Sequence, residues 1–125
     1  MTHPPETTLR RVVARREATA IFDAFAPLLE GVDAALVGID ARVLVGLGEW
    51  ESVPLADAFQ STDAALRAGV QVFPLPATGE PIGALVARGS ALSDPHPAGA
   101  LHALHRALDL FVGQAIEKRA IAQET

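Results

Sequence analysis

Apolar and polar positions alternate between two periods along this chain, and the changes of period mark its elements. Leu9, Val12, Val13, Ile21, Phe22, Phe25, Leu28 and Leu29 recur at spacings of three and four, one stripe of an amphipathic helix over residues 7–30. Thr7 or Thr8 supplies its cap, Pro27 bends or ends its last turn, and Gly31 suits the position after a helix. Residues 34–39 and 43–47 are then almost continuously apolar around the polar turn Asp40-Ala41-Arg42, which predicts a β-hairpin. With both faces of both strands apolar, a central place in a sheet is expected for the pair.

After a loop holding Trp50, positions Leu55, Ala58, Phe59, Ala65 and Leu66 predict a short helix. It breaks near Ser61-Thr62-Asp63, with Ser61 or Asp63 capping a second piece. Residues 70–89 read as a second hairpin. Val70, Val72 and Leu75 lead into Thr78-Gly79-Glu80-Pro81, and Ile82, Ala84, Leu85 and Val86 resume the apolar run up to Gly89. This hairpin is expected at the centre of the sheet with a helix packed on it. A loop with two prolines and His96 precedes that helix, which is expected over residues 97–125. Leu101, Leu104, Leu108, Phe111, Ala115 and Ala122 fall at a and d positions of a heptad, with Lys118 breaking the seam. Val112 and Ile116 widen the stripe. One face can cover the sheet, and a second can meet the first helix or another subunit.

The element order is helix, two strands, short helix, two strands, long helix. It predicts a single α+β domain over residues 1–125 with a central antiparallel sheet flanked by N- and C-terminal helices. Residues 1–6 are expected to form a flexible arm and 31–96 the sheet region with its short helix. The 125 residues are enough for one core, and a chain half apolar and one-fifth charged is expected to fold. A net charge of −5 argues against a nucleic-acid surface, Arg10, Arg11, Arg15 and Arg16 reading as a solvated helix face. Without cysteine there is no disulfide, thiolate metal site or Cys nucleophile. No apolar run reaches membrane-spanning length and no signal-peptide core opens the chain, so the expectation is a cytoplasmic protein.

Three stretches carry a family resemblance. They are the first hairpin, with Ala34-Ala35-Leu36-Val37-Gly38-Ile39-Asp40 and Arg42-Val43-Leu44-Val45-Gly46; the second, with Val72-Phe73-Pro74-Leu75, Gly79 and Ile82-Gly83-Ala84-Leu85-Val86; and the end of the last helix, Ala115-Ile116-Glu117-Lys118-Arg119-Ala120. Together they resemble a GAF-type sensory domain, a family allied in fold to PAS domains. The resemblance implies a bacterial cytoplasmic regulatory domain that binds a small ligand or protein partner. Signalling would pass through dimeric terminal helices to an output module. The stretch between the hairpins is shorter than the family's, and no cysteine is present for a covalent bilin. The same element order is also similar to roadblock/longin-like interaction domains, which implies instead a dimerising protein-binding module, engaged in GTPase regulation or scaffolding, without a ligand pocket. Only two later strands are readable here against that family's three.

Candidate chemistry is sparse. His102 and His105 share a helix face with Asp109 one turn on, and His96 lies near in sequence, but the spacing is loose for zinc and no metal or other cofactor is expected. There is no nucleophile elbow, phosphate-cradling loop or metalloprotease motif, and the carboxylates fall in loops, so catalysis is not expected. A pocket would draw on Trp50, Phe59, Gln71, Phe73 and Arg88, with the segment after Gly48 as its lid. Arg88, ending an apolar strand, would need a counter-ion if buried. A homodimer interface is expected at Val12, Leu104, Leu108, Phe111 and Ala115.

Overall fold

In the computed structural model, residues 14–50, 53, 55–76, 81–89 and 94–124 are described. Helix α1 spans Arg15–Phe25, and a 3-10 turn over Ala26–Leu28 follows with Pro27 in its first turn. Pro27 lacks the N–H that a continuing α-helix would need. Thr7, Thr8, Leu9, Val12 and Val13 lie outside the described residues.

Strands β1 (Asp33–Gly38) and β2 (Val43–Gly46) form the first hairpin. Its turn is held by the Asp40 carboxylate, which accepts from the Arg42 N–H at 3.1 Å, while Ala41 takes a φ of +66°. Two short helices follow, α2 (Leu55–Ala58) and α3 (Thr62–Arg67), broken where the sequence places the break. Strands β3 (Gln71–Leu75) and β4 (Gly83–Arg88) form the second hairpin, and α4 runs over Pro95–Glu124. His96, expected in a loop, sits in the first turn of α4, where Pro95 and Pro97 cost nothing because first-turn N–H groups have no intrahelical partner.

The four strands form one antiparallel sheet in the order β2-β1-β4-β3. The long pairing is β1 with β4, in register without interruption from Asp33 opposite Arg88 to Gly38 opposite Gly83. This corrects the expectation that each hairpin is central as a whole. Each contributes one central strand and one edge. Strand β2, with Val43 and Gly46 exposed, is an edge, and so is β3, whose Pro74 removes a ladder donor and suits only that position.

Alternation along the central strands splits the core into two layers. Ala34, Leu36, Leu85 and Ala87 face α1 and α4, where they pack with Phe22, Leu101, Leu104, Leu108 and Val112. Ala35, Val37, Ala84 and Val86 face the opposite way, under Trp50, Leu55, Ala58, Ala65 and Val70. No polar or charged residue is buried among those described. Apolar burial on both faces of β1 and β4, at about 1.5–3 kcal/mol per large side chain, is therefore the main source of stability.

The buried stripe of α4 is Leu101, Leu104, Leu108 and Val112. It departs from the expected heptad at Phe111, which is only partly buried. A straight helix turns once per about 3.6 residues, so spacings of three, four and four track one face while a strict heptad drifts off it. Leu104 and Leu108, expected at a dimer interface, are instead fully buried against this chain's own sheet.

Candidate ligand groove

The crossing from edge β2 to edge β3 carries α2 and α3 over one face of the sheet and sets up a concave space. Ser61 starts α3 as its N-cap, with Oγ accepting from the Ala64 N–H at 3.0 Å. Gly69, at a φ of +75°, turns the chain out of the helix into β3. Ala58 and Ala65 face Ala84 and Val86 across this layer. Small side chains on both sides leave room between the roof and the exposed end of the sheet.

That room is a groove of about 750 Å3. Its floor is Val72, Pro74, Gly83 and Ala84, its roof Ala58, Phe59, Ala65 and Leu66, and its polar residues are Ser61 and Gln71, the second of which shares the α4 side of β3 with Phe73. Ile39 and Leu66, 45% and 67% exposed, stand on its walls and leave apolar surface open to solvent. The volume falls within the range of about 300–1,000 Å3 typical of small-molecule sites. Ser61 reaches this wall only because it caps α3. Its replacement by alanine is expected to cost about 1 kcal/mol, read as a lower urea midpoint with an unchanged slope.

The five pocket residues expected from sequence divide. Phe59 and Gln71 line the groove, and Phe73 borders it. The Phe73 ring, however, packs on α4, with centroids 5.3 Å from His105 and 6.0 Å from His102. Beside it, His105 Nε2 lies 3.0 Å from the Pro74 carbonyl. A carbonyl only accepts, so Nε2 carries the proton. Edge strand β3 thus forms part of the groove and contacts α4 through Phe73 and Pro74.

Trp50 and Arg88 lie elsewhere, around the Asp33 end of the sheet. Trp50 is buried, and its indole N–H donates to the Leu47 carbonyl at 3.0 Å. The Arg88 guanidinium stacks over the Trp50 ring at 4.9 Å, lies 3.7 Å from the Asp33 carboxylate and donates to the Glu49 carbonyl. Arg88 is only partly buried, and its ion-pair partner is Asp33, directly opposite it in the β1–β4 register. These contacts fasten the loop after β2 to the sheet. A second, open depression of about 620 Å3 borders Trp50, with Val43, Gly46 and Leu55 among its walls. Arg88 is not among them.

Most of the groove residues were missed as such, among them Ser61, Leu66 and Ile39. Ser61 was legible only as a cap, Leu66 as part of a helical stripe, and Ile39 as the end of a strand. The available signal was the run of alanines at 58, 64, 65 and 68, a roof too thin to fill its layer. Of the expected interface residues, Leu104 and Leu108 are core, Phe111 packs partly against that core, Ala115 is half-buried, and Val12 lies outside the described residues. Among the described residues no three His, Asp or Glu side chains are grouped to hold a metal ion, and no helix is long and apolar enough to cross a membrane. Compared with protein-family models, with curated proteins and with solved structures, the chain matches none.

Proposed function

We propose that this chain is a non-catalytic regulatory domain of GAF-like type that takes a small ligand in the groove between α2–α3 and β3–β4. The observation that carries the reading is the position of β3. One side of this edge strand contributes Val72 to the groove, while the other presses Phe73 onto His102 and His105 of α4. A ligand that shifts β3 therefore has a short physical route to the long helix, and α4 is the element that an output module or partner would read. An enzyme has less support, because the described groove-lining residues include no ionisable side chain for proton transfer.

A second reading, an interaction module of the roadblock type, is favoured by Leu66 and Ile39, which give the groove an exposed apolar mouth suited to a protein partner.

A thermal-shift screen of small metabolites tests the first reading, followed by hydrogen exchange on any hit. A ligand at a hundredfold excess over its Kd is expected to add about 2.7 kcal/mol of stability. It should slow exchange both in β3 and in the turn of α4 around His105. Protection confined to α2 and α3 would remove α4 from the mechanism. A screen without stabilising compounds would favour the interaction module.

A further inference from the structure

We infer that the occupant of the groove is an uncharged, mainly apolar small molecule, and that anions such as nucleotides and carboxylates are rejected. The inference rests on the reading of the groove as a small-molecule site, and it specifies the ligand class.

Three features of the walls lead to it. First, none of the described lining residues is charged, and the polar side chain on the groove's face of the sheet layer is that of Ser61, because Gln71 alternates with Val72 onto the α4 side of β3, as Phe73 does. Ser61 Oγ already accepts from the Ala64 N–H, so what it has left to give is its O–H. Edge strand β3 adds the outward backbone groups that the sheet leaves unpaired. A ligand carrying one or two neutral polar groups can be satisfied, whereas a carboxylate or phosphate would leave water without a cation to meet it.

Second, the charges nearest the walls in sequence are mostly acidic. Asp57 and Asp63 lie on α2 and α3, which form the roof, and Asp40 follows Ile39. Of the cations nearby, Arg42 is 3.8 Å from the Asp40 carboxylate and Arg67 is exposed in the last turn of α3. The net charge of −5 adds to the same field.

Third, Arg88, which could have received an anion, is not a wall residue. It is held by Asp33, the Glu49 carbonyl and the Trp50 ring.

The test uses two fluorescent probes with one ring skeleton, N-phenylnaphthylamine, which is neutral, and anilinonaphthalenesulfonate, which adds a sulfonate. Both are titrated into the full chain and into Leu66→Lys, a change at an exposed wall position that adds a cation without touching the core. The neutral probe is expected to bind one per chain, with the sulfonate about tenfold weaker or worse. Leu66→Lys should narrow that gap about threefold, the size of an exposed charge interaction. Equal binding of the two probes, with both affinities altered by Leu66→Lys, would overturn the neutral ligand class and leave the groove standing as a site. Saturable binding that ignores Leu66→Lys, or no saturable binding of either probe, would overturn the small-molecule reading of the groove itself.

Discussion

Replacing Leu104 by aspartate is expected to abolish the cooperative unfolding transition and leave the chain unfolded at 25 °C, whatever the protein concentration. Leu104 is fully buried with Leu108, Phe22, Leu36 and Leu85 between α4 and the sheet. The change forfeits about 1.5–3 kcal/mol of side-chain burial. It also forces a carboxylate either to lose its water or to pull α4 off the sheet, at a cost of several kcal/mol more. A domain of this size has about 5–15 kcal/mol in total, so little or nothing remains. Leu108→Ala gives the graded version, a loss of about 2–5 kcal/mol from burial and cavity together. Far-UV circular dichroism over a range of concentrations checks both. An interface residue would behave differently, because its replacement yields a folded monomer. A folded, soluble Leu104→Asp chain would therefore contradict the packing described here and return Leu104 to the dimer face expected from its heptad.

That expectation failed for a physical reason that recurs along the chain. The order of elements was legible because each boundary has a local cause. Asp40 caps its own turn, Ser61 caps α3, Pro27 ends α1, and Gly31, Gly69 and Gly89 take positive φ where the chain must reverse. What a stripe packs against is not local. Leu104 and Leu108 look the same in sequence whether they meet a sheet or a second copy. For the same reason the composition of β2 did not reveal an edge strand, since that depends on β4 pairing with β1 from the far end of the chain. The groove shows a similar division. Phe59 and Gln71 were legible as pocket residues because they flank the short helices. Trp50 and Arg88 were grouped with them as the aromatic and the cation of one site, and they are indeed in contact, but outside the groove walls and with Asp33 as third partner.

Gly89→Ala is the second change with a large expected effect, a loss of about 3 kcal/mol or more. Gly89 closes β4 at a φ of +144°, a conformation that costs a residue with a side chain about 1–3 kcal/mol. A Cβ there would also lie 2.2 Å from the Gly31 carbonyl oxygen and 3.0 Å from the Val32 Cα. Both are backbone atoms that cannot swing aside, so the two chain segments must separate. They are the segments that lead into β1 and out of β4, and their close approach adjoins the Asp33–Arg88 pair that begins the central register. Separating them draws Arg88 away from Asp33 and uncovers the face of Trp50. Trp50 is the only tryptophan, so the change has its own signal: its emission should shift to the red before unfolding, with the urea midpoint lowered. Gly113→Ala is the matched control. Gly113 lies within α4, and a Cβ built on it meets nothing within 4 Å. Adding one there is expected to raise stability by about 0.5–1 kcal/mol through helix propensity alone, with Trp50 emission unchanged. Equal midpoints for the two variants would mean that Gly31 and Gly89 do not hold the sheet's register at this end. A red shift confined to Gly89→Ala would tie that register to the stack of Arg88 on Trp50.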